Sequence, residues 1–153
     1  MTRVAVDSNI LVYLAHGAHV SGDETKIALI RSVLDALPES AIVFAPIQAL
    51  GETFVVLRRL GLSAEEARTV IKDFAQTFAA VPSLERTALA AADLVVDHKL
   101  QFWDALILAA AADAGCTLLL SEDMQDGFVT RGVTVVNPLS DDPHPKLAAV
   151  LEA

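Results

Sequence analysis

The sequence is poor in cysteine and in aromatic residues, and each shortage excludes a class of protein. Its 153 residues include one cysteine, Cys116. An intrachain disulfide and a cysteine-rich metal site are therefore excluded, and a reducing cytoplasm is the expected location. Aromatic residues make up 5 % of the chain, whereas hydrophobic residues, mostly Ala, Val and Leu, make up 54 %. This composition favours helices packed on a sheet over a β-sandwich.

Long apolar runs and positive charge are also scarce. No uncharged apolar run reaches the roughly 18 residues that span a membrane, and Asp7 interrupts the first apolar segment too early for a signal peptide, so no membrane partner is expected. The chain has 11 Lys and Arg against 20 Asp and Glu, a formal net charge of −9. Such a chain does not attract nucleic acid by its overall field, so any nuclease hypothesis has to account for this charge.

Short apolar runs alternate with helical patterns along the chain. Continuous apolar runs, typical of buried strands, occur at residues 4–6, 42–45, 117–120 and 133–136, and a weaker one at 79–81. Apolar residues at helical spacing predict helices at about 10–14, 27–37, 46–60, 64–78, 88–96, 103–114 and 147–151. Strands that are apolar on both faces and separated by helices indicate a parallel sheet covered on both sides. The fold class is therefore α/β, in three layers, and the whole chain, 1–153, is expected to form one domain.

Capping residues predict where several of these helices begin and end. Segment 17–22 is expected to be a loop, and Gly61 and Gly115 to end the third and sixth helices. Asp23 or Ser21 is expected to cap the second helix, and Pro46 to be the first residue of the third. A Ser63–Glu66 capping box is expected to begin the fourth helix, and Ser83 to cap the fifth.

Four acidic residues occupy positions where a plain α/β fold does not require them. Asp7 follows the first strand, Glu52 lies about two turns into the helix after the second strand, Asp104 begins the helix before the fourth, and Asp123 follows that strand. In a parallel sheet all four positions belong to the edge formed by the carboxyl ends of the strands, where ligands of open α/β sheets bind. The pattern predicts four carboxylates around one crevice.

Carboxylates crowded in a partly apolar crevice repel one another unless a cation neutralises them. Ligation by oxygen alone, without cysteine or clustered histidine, indicates Mg²⁺ or Mn²⁺ rather than Zn²⁺. Such ions polarise phosphates and generate hydroxide. Taken singly, each residue has a simpler explanation: a turn or cap for Asp7, a surface position for Glu52, stabilisation of a helix N-terminus for Asp104 and a loop position for Asp123. Four such coincidences at one edge are less expected than a metal site.

Four segments resemble, in order and spacing, the acidic motifs of PIN-domain ribonucleases. They are VAVDSNILVYL, GETFVVL, FWDALILAAA and LLLSEDMQDG, and the resemblance runs from about Val4 to Asn137. It is strongest to the VapC-type toxins of bacterial toxin–antitoxin pairs. It implies a PIN-like three-layer domain with a parallel sheet of about five strands and a metal-dependent endoribonuclease that cleaves RNA phosphodiesters by metal-activated water.

Carried over position by position, the resemblance also implies the roles of individual residues. Asp7, Glu52, Asp104 and Asp123 would hold one or two magnesium or manganese ions (Mg²⁺ or Mn²⁺). Asn9 would orient the carboxylate of Asp7, Ser121 would orient that of Asp123, and Asp126 would be a further acid beside them. The expected partners are an RNA substrate, a second copy of the chain and a cognate antitoxin protein.

Several alternatives stay open at this point. The same chemistry would suit a PIN-fold RNA-processing nuclease that is not a toxin, and the fold alone would suit a catalytically idle interaction domain. A receiver domain is disfavoured, because the sequence has neither an acidic pair after the first strand nor a Lys directly after the last one. An aspartyl phosphatase is disfavoured, because Asn9 stands where it needs a second Asp. Arg58 and Arg59 could contact phosphate or simply form a solvated helix face. Trp103, beside Asp104, is expected to pack in the protein rather than to stack on a base.

Overall fold

The computed structural model describes residues 1–15 and 23–153, so the loop expected at 17–22 and the alternative cap Ser21 lie outside the described residues. Strands and helices alternate as the sequence predicts. In chain order they are β1 (Arg3–Val6), α1 (Ser8–Ala15), α2 (Glu24–Asp35), β2 (Ile42–Pro46), α3 (Ile47–Arg59), α4 (Ala64–Thr77), β3 (Ala79–Val81), α5 (Glu85–His98), α6 (Phe102–Asp113), β4 (Leu118–Leu120), β5 (Val129–Thr130), β6 (Val133–Val136) and α7 (Pro145–Leu151).

The strands form a single sheet with the order β3-β2-β1-β4-β6-β5. The pairs β1–β2, β1–β4, β2–β3 and β4–β6 are parallel, which confirms the three-layer α/β/α arrangement. The sequence predicted about five strands. The additional strand is β5, which has two residues and runs antiparallel to β6. A two-residue strand is too short to produce a recognisable pattern in the sequence.

The central strands and α6 form the centre of the hydrophobic core. Every residue from Leu118 to Leu120 in β4, and from Val4 to Val6 in β1, is at most 1 % exposed. Residues Ala105–Ala111 of α6 are all buried, so this helix is apolar on every side, as expected for a helix enclosed by its neighbours. No helix in the part of the chain that the structure describes is long and apolar enough to cross a membrane.

Two predicted helix starts are wrong, and each has a local cause. Pro46 is the last residue of β2, where it pairs with Val81 with φ −58° and ψ 142°, and α3 begins one residue later. Proline fixes φ at a value that both a helix and an extended strand accept, so its presence alone did not decide between them. Ser83 does not cap α5. The Leu84 amide donates to Thr87 Oγ1 at 3.0 Å instead, and the helix begins at Glu85.

Other predicted caps are confirmed by hydrogen bonds. Asp23 accepts from the Lys26 amide at the start of α2. Ser63 and Glu66 form the reciprocal capping box, with both hydrogen bonds at 3.1 Å. Gly61 and Gly115 have φ of +104° and +72° just after α3 and α6, a conformation that glycine adopts without strain. Together these boundaries bring the starts of α1, α3 and α6 and the end of β4 to one edge of the sheet.

Candidate active site

Asp7 is the most constrained acidic side chain at this edge. It directly follows β1, is 2 % exposed, and receives hydrogen bonds on both oxygens. The Ser8 amide donates to Oδ1 at 2.7 Å, while Ser121 Oγ and Asn9 Nδ2 donate to Oδ2 at 2.7 and 3.1 Å. The chain turns from strand into helix at this point, so the free amide of Ser8 at the start of α1 points at the carboxylate.

The pKa of Asp7 is raised from 3.8 to about 6, mainly because burial disfavours the charged carboxylate. The hydrogen bonds from Ser121 and Ser8 act in the opposite direction and lower the pKa. The negative charges of Asp104 and Glu52 raise it further. Two of the other acidic residues selected from the sequence therefore lie close enough to Asp7 for their charges to act on it.

Asp104 lies in the first turn of α6, half-buried. Its backbone amide donates to the side chain of the capping residue Gln101 at 3.0 Å. Burial raises the pKa of the Asp104 carboxyl, and the charges of Glu52 and Asp123 raise it further. Among the described residues its carboxylate has no hydrogen bond or ion pair. It is a partly desolvated acid with free oxygens.

Glu52 lies in α3 and is joined to Asp7 through a residue that the sequence did not single out. Ser8 Oγ donates to Glu52 Oε2 at 2.9 Å and lies 3.4 Å from Asp7 Oδ1. The other oxygen of Glu52 accepts from Gln48 Nε2 at 3.1 Å. A small hydroxyl residue at the first helical position after a strand-end acid was the available signal for Ser8, but it also fits an ordinary helix start.

Asp123 follows β4 in an exposed loop. In the described part of the chain its carboxylate has no hydrogen-bond partner, and it reaches the other acids through its effect on Asp104. Asp7, Glu52, Asp104 and Asp123 thus lie at the carboxyl edge of the sheet, close enough for their charges to act on the carboxyl of Asp7 or of Asp104. This is the edge at which the sequence predicted them.

The residues expected to orient these carboxylates have different partners. Asn9 contacts Asp7, as the resemblance implied. Ser121 is fully buried and contacts Asp7 rather than Asp123, because β1 and β4 are neighbours and Val6 pairs with Leu120. Asp126 has a backbone partner, because its Oδ1 accepts from the Asn137 amide at 2.9 Å. It joins the loop after β4 to the end of β6 at the surface.

The donor set fits a hard divalent cation in kind, although the ligands are not gathered into a cage. All candidate donors are carboxylate oxygens, which Mg²⁺ and Mn²⁺ prefer, and two of the carboxylates have no hydrogen-bond partner among the residues that the structure describes. Burial is the main cause of the raised pKa of Asp7 and of Asp104, and the charges of the neighbouring acids add to it; a bound cation would relieve that added repulsion. Within residues 1–15 and 23–153, no three His, Cys, Asp or Glu side chains lie close enough together to share one ion.

The surface near the acids contains an exposed aromatic ring. Trp103, next to Asp104, is 48 % exposed, and its ring packs edge-on against Phe102 at 5.0 Å between centroids. The expected packing contact exists, but nearly half of the side chain faces solvent. Arg58 Nη1 donates to the Leu62 carbonyl at 3.1 Å at the far end of α3, so this arginine has a structural contact away from Glu52.

Comparison with known proteins agrees with the fold. The sequence model of the PIN domain family matches residues 4–126. No curated protein matches the sequence significantly. Among solved structures, similar chains occur in Mycobacterium tuberculosis VapC20, a toxin that cleaves the sarcin–ricin loop (18 % identity, 78 % of this chain and 89 % of that chain, TM-score 0.64), and in a toxin–antitoxin complex from Klebsiella pneumoniae (22 % identity, 88 % and 97 %, TM-score 0.62). A third occurs in Rickettsia felis VapBC2 bound to a promoter DNA fragment (12 % identity, 89 % and 98 %, TM-score 0.68).

Proposed function

The chain belongs to the PIN domain family, and on that premise we propose that it is a Mg²⁺- or Mn²⁺-dependent endoribonuclease that acts as the toxin of a toxin–antitoxin pair. The observation that carries the proposal is that four acidic residues from four separate segments lie at one edge of the sheet, where Ser8 Oγ contacts both Asp7 and Glu52. The charges of Glu52 and Asp104 raise the pKa of Asp7, and those of Glu52 and Asp123 raise the pKa of Asp104. A plain structural role does not call for several like charges beside one buried carboxylate.

In this proposal Asp7, Glu52, Asp104 and Asp123 hold the cation. The bound cation would polarise an RNA phosphate and activate a water molecule for attack on phosphorus. The hydrogen bonds from Ser121 and from the Ser8 amide favour the charged form of Asp7, and together with the bond from Asn9 they orient its carboxylate. Ser8 sets the distance between Asp7 and Glu52 by donating to Glu52. Asp104 and Asp123 offer carboxylate oxygens that accept no hydrogen bond from any described residue.

The net charge of −9 limits general attraction to RNA, since non-specific affinity depends on phosphate neutralisation by Lys and Arg. The proposed enzyme therefore relies on contacts at the site. The exposed ring of Trp103 next to Asp104 is suited to stack on an unpaired base, a contact that needs no basic surface. We accordingly propose that the substrate is a structured RNA with an accessible single-stranded segment.

The toxin assignment has support from the proteins that share the fold. The similar structures include a toxin that cleaves the sarcin–ricin loop and a toxin–antitoxin complex. A cognate antitoxin and a cytoplasmic location follow from that assignment. A homodimer is supported by large apolar side chains left exposed on or next to α3, where Ile47, Val55 and Leu60 are 48 %, 47 % and 50 % exposed. A second copy of the chain that covered these side chains would remove exposed apolar surface from water.

A second candidate, a catalytically idle interaction domain, is favoured by one observation. In the described residues no three acidic side chains are gathered closely enough to share an ion. A PIN-fold RNA-processing nuclease that is not a toxin would have the same site as the main proposal. Metal-dependent cleavage of RNA distinguishes a nuclease from an idle domain. A neighbouring gene that encodes an inhibitor distinguishes a toxin from an RNA-processing nuclease.

Cleavage of structured RNA by the purified protein tests the proposal. We expect cleavage with Mg²⁺ or Mn²⁺ and none with chelator. Asp104→Asn should lose at least a hundredfold, because it removes a proposed metal ligand, and it should stay folded, because the carboxylate has no hydrogen-bond partner among the described residues. The matched control is Asp97→Asn, on the exposed surface of α5, which should cleave like the wild type. Cleavage that is equal in Asp104→Asn would exclude Asp104 from the site. No cleavage under any condition would favour the idle domain.

The toxin role is tested separately from the chemistry. Expression of the wild-type chain should arrest growth, Asp104→Asn should relieve the arrest, and a small neighbouring gene should encode a protein that binds the chain and blocks cleavage. An active nuclease without growth arrest or an inhibitory neighbour would instead be an RNA-processing enzyme.

A further inference from the structure

A fifth carboxylate lies at the same edge but is turned away from the acidic group. Glu122 stands between Ser121 and Asp123 in the loop after β4, and its side chain is held by two residues of other elements. Tyr13 OH, on α1, donates to Glu122 Oε1 at 2.6 Å. Lys26 Nζ, on α2, donates to Oε2 at 3.1 Å and lies 3.4 Å from Tyr13 OH. We refer to these three side chains as the Tyr13–Glu122–Lys26 clamp.

The clamp is linked directly to Asp7 through the backbone of the same loop. The Glu122 amide donates to Asn9 Oδ1 at 3.1 Å, and Asn9 Nδ2 donates to Asp7 Oδ2 at 3.1 Å. These two bonds use both ends of the Asn9 amide, so they determine which way it faces. One residue later in the loop is Asp123, and the Met124 amide donates to Ser121 Oγ at 3.2 Å. A shift of Glu122 would therefore move both Asn9 and Asp123.

We propose that the Tyr13–Glu122–Lys26 clamp is a positioning device for the acidic site: it holds the loop that carries Asp123 against α1 and, through Asn9, keeps Asp7 in place. Glu122 is a positioning residue in this account, and α2 is part of the apparatus that assembles the site although it supplies none of the four acids. The inference rests on the proposed function, because it gives the clamp a consequence for cation binding.

The composition of the clamp supports a role in position rather than in stability. The side chains of Lys26 and Glu122 are 41 % and 25 % exposed, and ion pairs of that exposure stabilise a fold only weakly. The short hydrogen bond from Tyr13 restricts the direction in which the Glu122 side chain points. Tyr13 lies on α1, the helix that begins next to Asp7. Without Lys26 and Tyr13, a fifth negative charge would be free to approach carboxylates that already repel one another.

The first measurement needs neither metal nor substrate. Hydrogen exchange in chelator-treated protein should be about tenfold faster at the Glu122 and Met124 amides in Lys26→Met and in Tyr13→Phe than in the wild type, with β1 amides unchanged. The matched control is Lys72→Met, which removes the same charge from an exposed position on α4. Unchanged exchange at both amides in Lys26→Met would overturn the clamp as a restraint on this loop.

The second measurement is calorimetric titration of the same proteins with Mn²⁺. Residues that support metal ligands typically contribute 10- to 100-fold to affinity, so Lys26→Met and Tyr13→Phe should each weaken Mn²⁺ binding roughly tenfold, whereas Lys72→Met should not. In a Glu122→Ala background, Lys26→Met should have no further effect, because the clamp acts through Glu122. The proposal would be overturned if Lys26→Met weakened Mn²⁺ binding further in the Glu122→Ala background, or if Lys26→Met alone bound Mn²⁺ with wild-type affinity.

The outcomes separate the clamp from the proposed function. Faster exchange together with unchanged Mn²⁺ affinity would mean that the clamp restrains the loop without acting on the site, which refutes the inference and leaves the nuclease standing. A wild-type protein that binds no Mn²⁺ would refute the metal-dependent function itself. Weaker Mn²⁺ binding only in the clamp variants supports both.

Discussion

Replacement of Asp7 by Asn should stabilise the metal-free protein at neutral pH. The carboxyl has a pKa of about 6 in the folded protein against 3.8 for an unperturbed Asp. The stability that this carboxyl contributes is fully present at a pH below its pKa in the unfolded chain, and it is lost as the pH rises through its pKa in the folded protein. At pH 7 the carboxylate is ionised in both states, and the linkage then opposes folding by about 3 kcal/mol.

The asparagine variant avoids this cost but weakens the hydrogen bonds around position 7. Its amide nitrogen would face Asn9 Nδ2, which donates to Asp7 Oδ2 in the wild type, and Ser121 Oγ, which would have to turn its hydrogen away. One lost pair of this kind costs about 1–3 kcal/mol. We therefore expect a net stabilisation of about 1 kcal/mol at pH 7, which corresponds to about 2–4 °C in Tm for a domain of this size.

The pH dependence is a sharper test than the net value, because the hydrogen-bond cost is the same at every pH. At pH 5 the opposing free energy falls to about 1.6 kcal/mol, so lowering the pH from 7 to 5 should stabilise the wild type relative to the variant by about 1.3 kcal/mol. That is about 3–5 °C in Tm. The assay is thermal unfolding with chelator at both pH values.

The matched control is Asp97→Asn, whose carboxylate is exposed on α5 and whose difference from the wild type should be the same at pH 7 and pH 5. A difference between wild type and Asp7→Asn that also stays constant between these pH values would refute the argument, because Asp7 would then not be a buried acid of raised pKa.

Three further predictions concern the cation, the substrate and the assembly. Mg²⁺ at ten times its dissociation constant should stabilise the wild type by about 1.4 kcal/mol, or about 3–6 °C in Tm, and Asp7→Asn by almost nothing; equal shifts would exclude a metal site that includes Asp7. Trp103→Ala should raise KM for a single-stranded RNA about tenfold with little change in kcat, because each stacked base contributes about 1–3 kcal/mol. Trp103→Phe should retain most of the affinity, and an unchanged KM in Trp103→Ala would show that the ring does not contact substrate. Sedimentation at micromolar concentration should give a dimer, and Val55→Lys, at a position 47 % exposed in one chain, should give a folded monomer; a wild-type monomer would contradict the homodimer.

The secondary structure could largely be predicted because the signals are local. The strands β1, β4 and β6 are apolar on both faces, and the Ser63–Glu66 capping box lies within a single helical turn, so nearby residues contain the information. The errors also have local causes. Pro46 accepts strand and helix equally, and the two-residue β5 depends on its pairing with β6. Even the position of the four acids at one edge follows from the order of strands and helices, because parallel strands all end on the same side.

The contacts among the site residues, by contrast, were decided only by the tertiary structure. The register that pairs Val6 with Leu120 places Ser121 beside Asp7, residues 114 positions apart in the chain, and leaves Asp123 without the hydroxyl that the motif suggested. The packing of α1 and α2 against the loop after β4 diverts Glu122 to Tyr13 and Lys26, although Glu122 and Asp123 look alike in the sequence. The burial that raises the pKa of Asp7 is likewise a property of the assembled core. A sequence states which side chains reach an edge, but hydrogen bonds and desolvation depend on distances of a few ångströms that only the packing of distant segments determines.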